Sequence, residues 1–215
     1  MGNILRKNTT QPIGEQDIVV FLVGPAGSGK STVMQLMHAL AMDRQTNPDT
    51  YSLDPSTRDV QARRYTFDHI PQNVVLVDTP SFHTGLFDID AESAMRKWIQ
   101  LNFSANCHRS GILYLHDLAR NPREKGLLMQ HHLDTFAKTF PAGYTVPSCV
   151  CVVPTIDRGL KPDSSLVQRH GPKLEAAVRS LGVAWNASMF PERFRDEPEL
   201  ARKALRHLLR NISGT

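Results

Sequence analysis

One run of residues concentrates the chemistry of this chain: Gly24-Pro25-Ala26-Gly27-Ser28-Gly29-Lys30-Ser31, followed by Thr32. Its spacing, G-x-x-x-x-G-K-[ST], lets glycines curl the backbone until its N–H groups converge on phosphate oxygens. Such a turn needs a strand before it and a helix after it, so that the helix N-terminus adds its partial positive charge. Lys30 would reach the β- and γ-phosphates of a nucleotide as a point charge, and the Ser31 hydroxyl would ligate the Mg²⁺ bridging them. Asp78 closes the apolar stretch 74–77 and precedes Thr79-Pro80. That puts a carboxylate at the carboxyl edge of a sheet, near where the Mg²⁺ would sit.

The elements that must position these groups can be read from periodicity. Residues 1–16 are polar and aperiodic, with Pro12 and Gly14, and read as a flexible arm before a domain spanning 17–215. Ile18–Val23 is a continuous apolar run and predicts a buried strand ending at Gly24. Val33, Leu36, Met37, Leu40 and Ala41 recur at helical spacing and predict a helix over 31–42. Further strands are expected at Gln61–Phe67, as an edge, and at 73–78, 111–116, 148–153 and 183–185. Helices are expected over 91–103 with Asp90 as N-cap, over 122–140, over 166–181 apart from Gly171-Pro172, and over 198–210. Apolar strands alternating with helices predict an α/β fold, a mostly parallel sheet with helices on both faces, and ligands beyond the carboxyl ends of the strands.

Composition narrows the class. The 215 residues are 40% hydrophobic and 21% charged, with 13 Gly and 14 Pro, which excludes collagenous and broadly disordered chains. The longest apolar stretch, Ile18–Val23, is far short of the ~18 residues a membrane helix requires, and the polar start lacks a secretory core. A cytoplasmic location is expected. The net charge of +4 suits a phosphate-bearing ligand but is too small to argue for a nucleic-acid track. Cys149 and Cys151 flank one strand residue and should share a face as reduced packing cysteines, with Cys107 the third.

Phe21-Leu-Val-Gly-Pro-Ala-Gly-Ser-Gly-Lys-Ser-Thr32, Ser56-Thr-Arg-Asp-Val60, Val74-Val-Leu-Val-Asp-Thr-Pro80 and Gly111-Ile-Leu-Tyr-Leu-His116 follow one another along the chain. Together they resemble the successive signatures of septin-like and immunity-associated P-loop GTPases, nearest to the small stand-alone G-domain proteins of fungi. The resemblance spans about residues 18–209 and implies a P-loop NTPase fold that binds GTP or GDP with Mg²⁺. It makes Thr57 the first-switch threonine that senses the γ-phosphate and Mg²⁺ with Ser31 and Asp78, and it starts the second switch at Asp78 to Phe82. Asp157, beyond the fifth strand, becomes the acceptor for the guanine N1 and N2 donors. Asn186, Ala187 and Ser188 become candidates for backbone contacts to the base. Relatives of this kind pair across the nucleotide, so a homodimer on that face is implied.

The departures from the pattern matter chemically. Ser81 stands where the family usually has a glycine whose N–H contacts the γ-phosphate, which implies a second switch less free to swing. Phe82 stands where many GTPases orient water with a glutamine, which implies slow hydrolysis, with His83 the nearest substitute group. Pro154-Thr155 replaces the usual Asn-Lys pair before Asp157. Two other readings stay open: a small-molecule or nucleotide kinase, which would need an arginine-rich lid over the phosphates, whereas the clearest arginine pair, Arg63-Arg64, precedes the Asp-Thr-Pro instead, and a module that holds nucleotide without hydrolysing it.

Met1-Gly2-Asn3 resembles the start of a myristoylation signal, with Arg6 and Lys7 able to favour an anionic leaflet, although Arg6 stands where Ser or Thr is wanted. Arg202, Lys203, Arg206 and Arg210 lie opposite the leucines of the last helix and read as a solvated face. His131-His132 and Cys107-His108 lack the spacing of a metal site.

Overall fold

The computed structural model describes residues 13–42, 60–67, 70–81, 88–103, 105, 109–118, 125–155, 164–182, 184–192 and 197–213. Its elements run β1 (Ile18–Val23), α1 (Lys30–Met42), β2 (Gln61–Phe67), β3 (Ile70–Asp78), α2 (Asp88–Asn102), β4 (Ser110–Asp117), α3 (Lys125–Lys138), β5 (Cys149–Thr155), α4 (Ser164–Leu181), β6 (Asn186–Met189) and α5 (Pro198–Ser213). The six strands form one sheet in the order β2-β3-β1-β4-β5-β6. All neighbours are parallel except the β2–β3 hairpin.

β1 is central because every one of its residues is apolar and none is more than 4% exposed. Val19, Phe21 and Val23 point to one side, where α2, α3 and α4 supply Met95, Ile99, Phe136, Leu174 and Val178. Ile18, Val20 and Leu22 point to the other, where α1 and α5 supply Val33, Met37, Leu205 and Leu208. Phe21 anchors the first side edge-on to Trp98, Phe103, Phe136 and Phe140, with ring centroids between 5.1 and 6.2 Å. On the second side, the Cβ of any residue larger than glycine at 111 would come within 2.7 Å of Ile212 Cδ1, so α5 lies directly on β4. Cys149 and Cys151 share that second side, reduced and buried, as their alternation predicts.

The chain leaves β1 toward β2 and β3 on one side, then crosses to β4 on the other. The topological switch point of the sheet is therefore the carboxyl end of β1, where an α/β sheet opens a crevice for ligand.

Several boundaries differ from the periodicity reading, and Asp90, expected as the N-cap of α2, lies inside that helix, which begins at Asp88. β3 begins at Ile70 rather than residue 73, because Ile70 pairs with Phe67 and the hairpin extends beyond the apolar residues. α4 continues through Gly171-Pro172, the missing proline donor being outweighed by burial of Leu174, Val178 and Leu181. In place of the strand expected over 183–185, Ala184 and Trp185 lie in the turn that follows α4, their N–H groups bonding back to Leu181 O, and β6 begins at Asn186. Trp185 is apolar because it is buried in the core, not because it lies in a strand.

At the amino end of β1, Asp17 joins three strands. Gly14 N and Arg64 Nη2 donate to its Oδ2 at 2.8 and 2.7 Å, and Asn73 Nδ2 donates to Oδ1 at 3.2 Å. Burial alone would push this carboxyl up, but the Gly14 amide, Arg64 and Asn73 together hold it below the ordinary value. A carboxyl depressed in the folded state lends stability above its unfolded pKa, about 4, and that contribution is lost as the pH falls through the lowered folded value. Asp17→Asn should therefore lower the melting temperature at neutral pH and flatten the decline of stability below about pH 4. Thermal denaturation followed across that range checks both.

Candidate functional site

The loop after β1 is built by close backbone contact. A Cβ at Gly24 (φ 154°) would lie 2.5 Å from Leu115 O of β4 and 2.9 Å from Ser28 Oγ, so only glycine fits there. The turn closes through Ser28 N donating to Pro25 O at 3.2 Å, and Gly29, at φ 96°, leads into α1 with Val33 N donating to Gly29 O at 2.9 Å. The first turn of α1 holds no acidic residue, leaving its positive end open to an anion.

Lys30 is buried, 6% exposed, and folds back over this turn. Its Nζ donates to Gly24 O at 2.8 Å, to Pro25 O at 3.0 Å and to Ser81 Oγ at 2.9 Å. Beside it, Ser31 Oγ donates to Asp78 Oδ2 at 2.6 Å. Asp78 is 2% exposed, and burial raises its pKa above the ordinary value despite the opposing Ser31 hydrogen bond and Lys30 charge. Thr79 Oγ1 donates to Leu22 O at 2.8 Å and ties the end of β3 to β1.

Two buried polar atoms of this site find no hydrogen-bond partner among the described residues: Ser28 Oγ in the loop and Asp78 Oδ1 at the strand edge. A buried carboxylate oxygen left unpaired is costly, and a divalent cation satisfies it. A hydroxyl beside converging N–H groups is suited to an anionic oxygen. The donor set, hard oxygens beside an ammonium and a helix N-terminus, thus fits a phosphate chain with Mg²⁺.

Residues 19–143 match the family described as 50S ribosome-binding GTPase. The chain belongs to this GTPase family. The GTPase is also similar in fold to a crystal structure of the bacterial selenocysteine-specific elongation factor EF-Sec, with a TM-score of 0.59 at 15% identity. That likeness covers 90% of this chain and 29% of the other, so the GTPase spans less than a third of that protein's length. No curated protein matches the sequence. The strand order and the family make this an α/β P-loop NTPase that binds guanine nucleotide.

The structure brings together Gly24 to Thr32 and Asp78 as the spacing implies. Thr57, His83 and Asp157 lie outside the described residues, as do Gly2, Phe82, Cys107 and His108. Asn186, Ala187 and Ser188 are not a base-side loop. They pair with Cys149, Val150 and Cys151, so Asn186 starts at the amino end of the sheet, opposite the phosphate loop. The segment leaving the carboxyl end of β6 instead begins at Phe190, whose N–H donates to Val152 O at 2.9 Å. Arg64, one of the two arginines a kinase lid would use, is held on Asp17 at that same amino end. The basic helix face is paired in part, with Arg202 on Glu199 at 2.6 Å and Lys203 on Glu192 at 3.0 Å.

Sequence reasoning missed the Ser81 bond to Lys30. Its signal was a serine where the resembled septin-like pattern usually has glycine, but which group the hydroxyl meets depends on the approach of two separate segments.

Gly24→Ala should destabilise the GTPase by about 1–3 kcal/mol, because Leu115 O belongs to a strand backbone that cannot move aside. It should also abolish protection by guanine nucleotide in a thermal melt, whereas an alanine at exposed Gly143, where a Cβ meets nothing within 4 Å, should leave that protection intact.

Proposed function

We propose that this GTPase is a Mg²⁺-dependent GTP-binding protein of the septin-like or immunity-associated kind, which hydrolyses GTP to GDP slowly and acts as a switch or scaffold. The observation that carries the reading is the Ser31–Asp78 pair, with its unpaired buried Oδ1, set beside Lys30 at the mouth of a glycine-built loop.

In this reading the loop N–H groups and Lys30 stabilise negative charge on the β- and γ-phosphates. Ser31, Asp78 and Thr57 hold the metal, which supplies charge neutralisation at the phosphate oxygens when bound. Asp157 accepts from the guanine N1 and N2 donors, and an adenine there would leave a carboxylate unpaired, which favours guanine. Phe82 supplies no group to orient water, so turnover is slow and His83 is the residue left to assist it. Residues 17–215 would act as one G domain behind an arm of 1–16, cytoplasmic, pairing with a second copy across the nucleotide face. An acyl group on Gly2 would add peripheral membrane contact.

Ligand bound only to the folded state raises its apparent stability, by about 2.7 kcal/mol at a hundredfold its Kd. With Mg²⁺ present, GTP and GDP should each raise the melting temperature by several degrees, ATP should not, and Lys30→Ala should lose the shift. A shift with ATP equal to or larger than that with GTP would overturn the guanine reading and favour a kinase.

Asp78→Asn separates the metal from the nucleotide. Without Mg²⁺ the variant should melt at the same temperature as the parent or higher, because a desolvated charge is gone. Its nucleotide affinity should no longer respond to Mg²⁺, a loss of at least about tenfold by titration.

A further inference from the structure

Lys30 opens α1 and Ser81 follows β3, yet Lys30 Nζ donates to Ser81 Oγ at 2.9 Å. An ammonium carries three protons. Its acceptors among the described residues include Gly24 O at 2.8 Å, Pro25 O at 3.0 Å and Ser81 Oγ. These acceptors are not equivalent. The two carbonyls belong to the loop itself, whose turn is closed by Ser28 N on Pro25 O and pressed against Leu115 O. Ser81 Oγ sits on a rotatable side chain of another segment, half-buried at the mouth of the loop.

Phosphate oxygens are strong acceptors for Lys30 and also demand its protons. A diphosphate can be met by giving up one of these acceptors. A triphosphate asks for contact at two phosphates, and an acceptor must yield further. Unbending the loop carbonyls would break the turn, whereas turning the Ser81 side chain to another staggered rotamer costs little. A glycine at this place brings no side chain to compete.

We propose that the Ser81 hydroxyl competes with the terminal phosphate of GTP for Lys30, biasing the site toward GDP. This rests on the guanine-nucleotide reading above and deepens it: Ser81 is a specificity-determining residue between the two nucleotides, acting through Lys30.

The test is equilibrium competition against fluorescent GDP, giving Kd for GDP and for a non-hydrolysable GTP analogue in the parent, Ser81→Ala, Ser81→Gly and Ser81→Thr. Removing the hydroxyl should tighten the GTP analogue relative to GDP by about tenfold, the scale of one hydrogen bond to a charged group. Ser81→Thr keeps the hydroxyl and should keep the parent ratio. Ser81→Gly provides the same readout as Ser81→Ala in a backbone the family pattern tolerates. An unchanged ratio in both Ala and Gly variants overturns the inference. So does selective weakening of the GTP analogue, which would mean the hydroxyl donates to the phosphate instead. A parent that binds neither guanine nucleotide overturns the underlying reading and the inference with it, and is distinguished because no ratio is then measurable in any protein of the series.

Discussion

Everything in this molecule is arranged around a strand with nowhere to face water. β1 is apolar at every position, bonded to a parallel neighbour on each edge and covered by helices on each side. Its backbone can meet a solute only where the strand stops. At that stop β4 approaches so closely that residue 24 has no room for a side chain. The position of the phosphate loop is thus a consequence of the packing of the sheet, and the helix that follows must begin with its N–H groups directed at the same place.

Charges are then placed where that geometry makes them expensive to keep without a ligand. Lys30 and Asp78 are both nearly inaccessible, and they do not touch as an ion pair; Lys30 donates to two carbonyls and a hydroxyl, while Asp78 accepts from one hydroxyl and keeps Oδ1 unpaired among the described residues. A lysine and an aspartate neutralising each other would leave a stable but inert site. Held apart, the ammonium keeps its attraction for phosphate and the carboxylate keeps an oxygen for a cation. Each charge has one serine hydroxyl on it, Ser81 on Lys30 and Ser31 on Asp78.

Much of this was legible from the residues alone, because the glycine loop, the apolar strands and the carboxylate at a strand end are local patterns with period-two or tight-turn signatures. The mostly parallel sheet and its two-sided burial followed from them. What was not legible depended on distant partners. Ile70 joins β3 through its pairing with Phe67 rather than through its own neighbours. Gly171-Pro172 stays helical because of what Leu174 and Val178 bury. Trp185, bulky and apolar, drew the last strand toward itself, while the true strand Asn186–Met189 is half polar. The meeting of Ser81 with Lys30 joins two segments 51 residues apart and left no trace in spacing.

The polarity that concealed β6 has a use of its own. Among the described residues the sheet ends on β2 and β6, and each presents a row of backbone groups that another chain could extend. β6 is only four residues long, which offers such a chain little to grip. β2 is longer but carries Gln61, Arg63, Arg64 and Thr66 along it, and side chains of that kind discourage stacking by a foreign strand. The two rims are guarded differently, one by brevity and one by charge, so that a sheet as greasy as this one can remain dispersed while its middle strands stay entirely hidden.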